Sequence, residues 1–231
     1  YKKNLKLLSK NHVYSKEMEH DACRVGVIAS TEGKKSRAVV ESGIEALKAV
    51  WHRGAVDADG KTGDGAGIHV EIPKDFFIEK IEVTGHDYDK SEICVGMIFL
   101  PRNDYSSQES CKTIVESELT KNNFSIYGWR QVPVNPKVLG VKALQTMPEI
   151  IQVLFKSNDS NLLDKNLERK IYETRKRIEN KAFDASLNNF YICSISSKSI
   201  IYKGLYLAEA ISDFYLDLRD KRFVSRYAIF H

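Results

Sequence analysis

Apolar positions along the chain follow two different periods, which together predict a mixture of strands and helices. Residues 24–30, RVGVIAS, alternate apolar with small or polar side chains, as half-buried β-strands do. In residues 37–52 the apolar side chains recur every three or four positions and share one helical face: Val40, Ile44, Leu47 and Trp51. Ser36 is a suitable N-cap and Gly54 a suitable stop, so a helix is predicted between them.

The remainder of the chain continues this mixture. Helices are predicted over residues 107–122 and 165–181. Strands are predicted over residues 68–73, 92–101, 124–133 and 148–157, and residues 189–205 are predicted to form a hairpin with a polar turn at Ser196–Lys198. Because consecutive strands are joined both by helices and by short turns, antiparallel neighbours are expected. The order favours an α+β fold over a doubly wound parallel sheet.

Composition narrows the class of protein without changing this fold prediction. The chain has 231 residues, of which 42% are hydrophobic and 29% charged, which is ordinary for a globular protein. No apolar run is long enough to span a bilayer, so no membrane partner is expected. The four cysteines, Cys23, Cys94, Cys111 and Cys193, are too dispersed for a disulfide framework or a zinc site. Reduced thiols and a cytoplasmic location are the expectation.

The formal charge of +4 comes from one segment. Residues 165–181 hold seven basic and three acidic side chains, on a pattern with apolar residues at Leu167, Ile171 and Ile178. Mixed signs on an amphipathic helix are typical of a solvated face, whereas a nucleic-acid site combines basic residues with aromatics or glycines. No nucleic-acid partner is expected. Nucleic-acid binding stays as an alternative that a salt titration of affinity would test.

The glycine-rich stretch DADGKTGDGAG, residues 57–67, invites two ligand hypotheses that its spacing disfavours. A phosphate loop leads into a helix, but a strand-like pattern follows here. A calcium loop that starts at Asp57 would need an oxygen ligand and a glycine where Lys61 and Thr62 stand. The stretch is therefore predicted to be a tight turn between a helix and a strand.

Several stretches, in order along the chain, resemble a known family. They are ACRVGVIAS (22–30), HRGA (52–55), DGKTGDGAGI (59–68), IPKDFF (72–77), YKGL (202–205) and FYLDLRDKRFVSRYAIFH (214–231). Together they resemble the glutamine amidotransferase domains of the N-terminal nucleophile type, and more narrowly the glutamate synthase family. The resemblance implies an incomplete domain with a four-layer αββα sandwich fold, in which two mostly antiparallel sheets lie between helices.

The resemblance also implies the site. Cys23 would be the nucleophile that hydrolyses the glutamine side-chain amide through a thioester, and Arg53 would bind substrate beside it. Six residues would shape the glutamine pocket: His52, Gly54, Thr62, Gly63, Asp64 and Gly65. No metal ligand is implied.

This chemistry requires a base on the nucleophile's own residue. A thiol with a pKa of about 8.5 is only slightly ionised at neutral pH, whereas an α-amino group, with a pKa of about 7.7 to 8, can accept its proton. The nitrogen of Cys23 becomes an amine only when the peptide bond to Ala22 is cut. Residues 1–22 are therefore predicted to be a propeptide, and residues 23–231 the N-terminal part of the amidotransferase domain.

The resemblance implies partners and cofactors in a longer enzyme. Ammonia would pass to a distant site that reductively aminates 2-oxoglutarate and carries FMN and an iron–sulfur cluster, with NADPH or a partner subunit as electron source. The partners would be glutamine, the remaining domains of the large subunit and a small electron-donating subunit. No cofactor is expected within these 231 residues.

The sequence departs from the family's pattern in two ways, and these leave alternative functions open. Position 24 is Arg, where the family usually has glycine. The family's substrate-carboxylate arginine, its oxyanion Asn-Gly pair and its amine-binding aspartate would lie beyond residue 231, so the chain alone is not expected to turn over glutamine. The alternatives are a catalytically inactive amidotransferase-like module that acts in binding or structure, and a related amidotransferase that feeds ammonia to another acceptor.

Overall fold

The computed structural model describes residues 25–50, 54–86, 93–159 and 164–231. In these segments two antiparallel β-sheets of four strands each are combined with helices. The α+β prediction is confirmed. Cys23, His52 and Arg53 lie outside the described residues, as do Arg24 and the predicted propeptide.

The first sheet has the strand order β1-β8-β2-β7. Every neighbouring pair in it is antiparallel. Its strands are β1 (Gly26–Ala29), β2 (Ala66–Glu71), β7 (Ser199–Gly204) and β8 (Tyr227–Phe230). The sheet thus brings together two strands from the beginning of the described chain and two strands from its end.

The second sheet has the order β4-β5-β3-β6 and is also antiparallel throughout. Its strands are β3 (Cys94–Leu100), β4 (Phe124–Gln131), β5 (Glu149–Ser157) and β6 (Tyr191–Ser196). All four strands lie within regions where the alternation of the sequence predicts them.

The α-helices are α1 (Arg37–Ala49), α2 (Lys74–Glu82), α3 (Tyr105–Lys121), α4 (Val141–Thr146), α5 (Asp164–Asp184) and α6 (Ile211–Phe214). Ser36 caps α1 as predicted, because its side chain accepts a hydrogen bond from the backbone N–H of Val39. The predicted stop at Gly54 is wrong. The C-cap is Val50, whose backbone N–H bonds to carbonyls in the last turn of the helix.

In the described segments two apolar clusters fill the interior, and the second sheet separates them. On one face of that sheet, Cys94, Ile98 and Phe155 pack with side chains of α3 and α5. On its other face, Val95 and Leu154 join the larger cluster, which includes α1, α2 and the first sheet. The second sheet is therefore buried on both faces.

Helix α5 confirms the prediction of an amphipathic helix with a solvated face. Ile171 and Ile178 are buried against the second sheet. Basic and acidic residues on the other face form i,i+4 pairs, including Arg169 with Glu173. Among the helices of the described segments, none combines the length and the apolar character that a bilayer crossing requires.

The predicted hairpin over residues 189–205 is wrong in its pairing. β6 and β7 follow each other directly, but β6 pairs with β3 and β7 pairs with β2. Side-chain contacts hold them side by side: the Cys193 thiol donates to the Ile201 carbonyl at 3.5 Å, and the Ile201 N–H donates to the Ser194 hydroxyl at 3.1 Å. The two sheets therefore meet at a corner formed by these strands.

A buried polar network ties the two sheets to the segment after β7. Arg130 of β4 donates to both carboxylate oxygens of Asp217, at 2.8 Å and 2.6 Å, and to the Gln152 side chain at 2.7 Å. Tyr202 of β7 donates to Asp217 at 3.0 Å. Burial, together with the negative charge of Asp217, raises the pKa of Tyr202 well above its ordinary value, so the phenol keeps the proton that it donates.

Asp217→Ala is expected to destabilise the fold by about 3 to 5 kcal/mol, because it leaves the Arg130 guanidinium buried without its counter-charge. Asp217 is 2% exposed and Arg130 is 14% exposed at the side chain. Urea unfolding followed by tryptophan fluorescence measures the change. The matched control is Asp213→Ala, which removes an ion pair with Arg219 that is more than half exposed. A loss of at most about 1 kcal/mol is expected there, and equal losses would contradict the assigned importance of the network.

Candidate functional site

Four strand ends meet at one edge of the first sheet, which we call the site edge. Gly26, the first residue of β1, pairs with Phe230 at the end of β8. Ala66, the first residue of β2, pairs with Gly204 at the end of β7. The strands are antiparallel, so two of them begin and two of them end at this edge.

The glycine-rich stretch forms the predicted turn, and it lies at the site edge directly before β2. Val56 forms an isolated antiparallel bridge with Gly63. The N–H of Asp64 donates to the carbonyl of Ala55 at 3.2 Å. These bonds place Gly54, which directly precedes Ala55 in the sequence, at the base of the turn.

Asp59 organises the inside of this turn. One carboxylate oxygen accepts from the backbone N–H groups of Thr62 and Lys61, at 2.7 Å and 3.0 Å. The other accepts from the Thr62 hydroxyl at 2.6 Å. These bonds, led by the one from the Thr62 hydroxyl, hold the pKa of the Asp59 carboxyl well below its ordinary value. The carboxylate is ionised at neutral pH and fixes the turn.

The turn is docked on helix α4. A Cβ atom added to Gly140, the N-cap of α4, would lie 2.3 Å from both the Asp59 carboxylate and the Thr62 hydroxyl. Lys142 on the same helix forms an ion pair with Asp57 at 2.6 Å, which lowers the pKa of the Asp57 carboxyl. The buried Thr62 side chain thus holds the turn against α4.

The other side of the turn packs on the segment that leaves β7. A Cβ atom at Gly63 would lie 2.7 Å from the carbonyl oxygen of Tyr206 and 3.1 Å from the nitrogen of Leu207. Gly65 has φ +127°, a conformation that side-chain-bearing residues rarely adopt. Glycine is required at Gly63 for close approach and at Gly65 for backbone conformation.

A cleft of about 740 Å³ opens beside this segment. Its wall includes Gly204, Leu205 and Tyr206, which also lie next to the turn. Apolar and polar side chains share its lining, among them Met147, Phe190, Arg102 and Asp104. The β7 end of the site edge therefore borders a concave surface large enough for a small polar molecule.

The structure brings together five of the eight site residues that the resemblance implies. Gly54, Thr62, Gly63, Asp64 and Gly65 all lie in or next to the turn at the site edge. The other three, Cys23, His52 and Arg53, are outside the described residues, and their roles remain predictions. In the described segments, no group of three or more His, Cys, Asp or Glu side chains is arranged to hold a metal ion.

Sequence reasoning missed the residues that anchor the turn. The sequence does carry a signal for Asp59, because an Asp three positions before a Thr is typical of a side-chain-bonded turn. The sequence gives no sign that Gly140 and Lys142 contact the turn. They lie about 80 residues further along the chain, and no local pattern connects them to it.

Comparison with known proteins decides the family. The family model for class-II glutamine amidotransferases matches residues 23–231. The chain belongs to this family. The resemblance inferred from the sequence is thereby confirmed, and the match to this class-II amidotransferase chain begins at Cys23.

The relatives that this class-II amidotransferase chain matches are named glutamate synthases. It is 51% identical, over all 231 residues, to the glutamate synthase [NADPH] large chain of Azospirillum brasilense. It is 40% identical over 215 residues to the ferredoxin-dependent glutamate synthase 1 of Arabidopsis thaliana, and 36% identical over 220 residues to the glutamate synthase [NADPH] large chain of Bacillus subtilis. These matches cover 100%, 92% and 95% of the chain but 15%, 13% and 14% of the relatives.

Proposed function

We propose that the chain is the N-terminal part of the glutaminase domain of a glutamate synthase, with Cys23 as its nucleophile. The observation that carries the proposal is the site edge. Cys23 is three residues before Gly26, and three residues span at most about 11 Å. The proposal therefore puts the thiol at the β1 end of the site edge, with β8 between it and the strand β2 that follows the glycine turn. The start of the family match at Cys23 supports the same assignment.

The proposed reaction is hydrolysis of the glutamine side-chain amide. The Cys23 sulfur attacks the amide carbon, and its proton passes to the α-amino group of the same residue. That amine returns the proton to the departing nitrogen, so ammonia leaves and a thioester remains. Water then attacks the thioester, which releases glutamate and restores the thiol.

This role requires that Cys23 be the first residue of the mature chain. A nitrogen in a peptide bond has no useful basicity, whereas a free α-amino group has a pKa of about 7.7 to 8. Residues 1–22 are therefore proposed to be a propeptide that keeps the precursor inactive. Residues 23–231 are proposed to be the domain segment that acts after cleavage.

The turn at the site edge is proposed to form one wall of the glutamine pocket. Gly63 and Gly65 let its backbone lie close to the segment after β7. Asp59 and α4 hold it in place, so the wall needs little reorganisation when substrate binds. Arg53, just before Gly54, is proposed to present its planar guanidinium to glutamine, with His52 beside it in the pocket.

The remaining features of a glutamate synthase are proposed for a longer polypeptide, as the length of the relatives suggests. Ammonia would be used there to convert 2-oxoglutarate to glutamate, with FMN, an iron–sulfur cluster and a small electron-donating subunit. Cys94, Cys111 and Cys193, on β3, α3 and β6, are not proposed as ligands, because such a cluster needs a complete set of thiolates at one place. The four-layer αββα fold and a cytoplasmic location are proposed on the resemblance.

A glutamine-like diazo-ketone is expected to label Cys23 and to spare the other three cysteines. Cys94, Cys111 and Cys193 are at most 5% exposed. Burial raises the pKa of the thiols of Cys111 and Cys193 to about 11, so they are protonated and poorly nucleophilic at neutral pH. Mass spectrometry of the mature full-length protein after cleavage at glutamate, which leaves each of the four cysteines in a different peptide, measures the distribution of label.

Cys23→Ser is the control for that experiment and is expected to take up no label. Excess glutamine is expected to protect Cys23, because both molecules would compete for one pocket. Comparable labelling of all four thiols, or labelling that glutamine does not slow, would contradict a dedicated glutamine site at the site edge.

A further inference from the structure

The glycine turn at the site edge is held by helix α4, which comes from a distant part of the chain. The first N–H groups of a helix need acceptors from outside it, and Gly140, the N-cap of α4, has no side chain to supply one. The turn supplies them instead. The Val141 N–H donates to the Asp59 carboxylate, and the Ala143 N–H donates to the Thr62 hydroxyl at 3.4 Å. The turn therefore caps α4.

Helix α4 is the fixed side of this contact. Leu139, Ala143 and Met147 recur every four residues, so they share one side of α4 and its flanks. All three are at most 9% exposed and belong to the larger apolar cluster. Between residues 57 and 65, by contrast, Thr62 has the only buried side chain. The turn has no core of its own, so its position depends on the elements against which it packs.

Position 140 is occupied by glycine because the turn fills the space beside it. The backbone of Gly140, with φ −74° and ψ 167°, lies in a region that any residue adopts. A Cβ atom there would nevertheless lie 2.3 Å from the Asp59 carboxylate and 2.6 Å from the backbone nitrogen of Thr62. A backbone atom cannot turn aside as the end of a long side chain can. Any side chain at position 140 therefore pushes the turn away from α4.

A displaced turn moves the proposed wall of the glutamine pocket. The turn leads directly into β2, where Gly67 and His231 exchange two backbone hydrogen bonds, at 2.9 Å and 3.2 Å. His231 follows β8, and β8 lies between β2 and β1, the strand that Cys23 precedes. The turn is thus located by α4 on one side and by the end of β8 on the other.

We propose that Gly140 is a positioning residue for glutamine hydrolysis: the space that it leaves seats the glycine turn on α4, which sets the affinity of the pocket for glutamine. This inference rests on the proposed function, in which the turn is a wall of that pocket. Gly140 acts through Asp59 and Thr62, so its effect falls on binding rather than on the chemistry at Cys23. A wall that contacts glutamine equally in the ground state and the transition state changes KM and leaves kcat almost unaltered.

Steady-state kinetics of glutamine hydrolysis by the mature full-length protein tests this role. In Gly140→Ala the KM for glutamine is expected to rise by at least about tenfold, while kcat changes by less than about threefold. The matched control is Gly96→Ala on β3. A Cβ atom there would lie 2.7 Å from the Val153 side chain, in the apolar cluster formed with α3 and α5. Both variants are expected to unfold at lower urea concentration because both are overpacked, but only Gly140→Ala is expected to change the KM.

Thr62 offers a second test that adds no atoms beside α4. Thr62→Val keeps the shape of the side chain but removes the hydroxyl that donates to Asp59 and accepts from Ala143. It is expected to raise the KM for glutamine, and Thr62→Ser, which retains the hydroxyl, is expected to restore it. The control is Thr174→Val, which removes a fully buried hydroxyl that donates to the Lys170 carbonyl at 2.8 Å within α5. No change in KM is expected there.

An unchanged KM in folded Gly140→Ala would overturn the proposal. An equal rise in Gly96→Ala would do the same, because general loosening of the fold would then explain both. Should Gly140→Ala not fold, the same criterion applies to Thr62→Val, compared with Thr62→Ser and Thr174→Val. Failure of the proposed function has a different signature, since glutamine hydrolysis would then survive Cys23→Ser. An unchanged KM in variants that still require Cys23 would remove only the role of Gly140.

Discussion

Replacing Cys23 by serine in the mature full-length protein is expected to lower the rate of glutamine hydrolysis by at least about a thousandfold, if Cys23 acts as proposed. A serine hydroxyl is a weaker nucleophile than a thiol and has a far higher pKa, so the same α-amino group activates it much less effectively. Glutamate release from glutamine at neutral pH measures the loss. Free ammonia is expected to bypass the defect in any later amination step, since the thiol is proposed to act only on glutamine.

The matched control is Cys193→Ala. The Cys193 thiol is 5% exposed and donates to the Ile201 carbonyl at 3.5 Å, and its pKa is raised to about 11 by burial. A protonated, enclosed thiol contributes nothing to the chemistry, so the rate of hydrolysis is expected to change by less than about threefold. Survival of activity in Cys23→Ser, or its loss in Cys193→Ala, would contradict the assignment of the nucleophile.

A single residue in front of Cys23 is expected to abolish most of the activity. Two forms of the protein are compared, one whose mature chain begins at Cys23 and one that begins at Ala22. The second keeps the thiol but moves the amine to another residue and turns the nitrogen of Cys23 into an amide. The rate is expected to fall by about 10²- to 10⁴-fold, the usual contribution of a general base.

Intact mass confirms which residue begins each chain, and steady-state kinetics of glutamine hydrolysis gives the comparison. In the form that begins at Cys23, activity should rise with pH through about 7.7 to 8, because only the deprotonated amine can accept the thiol proton. Equal rates in the two forms would show that the base lies elsewhere. A pH profile that is flat in this range would point the same way.

Sequence pattern was sufficient where an element depends on its own residues. The 3.6-residue period of α1 and α5 and the cap at Ser36 follow from local side chains, and the structure confirms them. Helix α2 was missed because Phe76 and Phe77 lie side by side after a strand, which resembles a continuing apolar run more than a helical stripe. In the structure these two rings pack edge to face in the core.

Sequence pattern was insufficient where an element depends on distant partners. The alternation in residues 189–205 predicts two strands correctly but says nothing about which strands they join. β7 pairs with β2, which is about 130 residues earlier, so the two strands separate into different sheets. Pairing is set by burial of one face and by the neighbours available, and both are properties of the whole fold.

The sequence by itself determined the family, the candidate nucleophile, the turn at residues 57–67 and the α+β class, because motifs and periods are local properties of the chain. Only the tertiary structure decided how the candidate site is built. It brought the glycine turn to the edge where β1 and β2 begin, anchored that turn through Asp59 on α4, and placed it beside a cleft. It also showed which face of the first sheet packs on the core. These outcomes depend on contacts between residues far apart in the chain, which form only when the packed arrangement offsets the entropy of bringing them together.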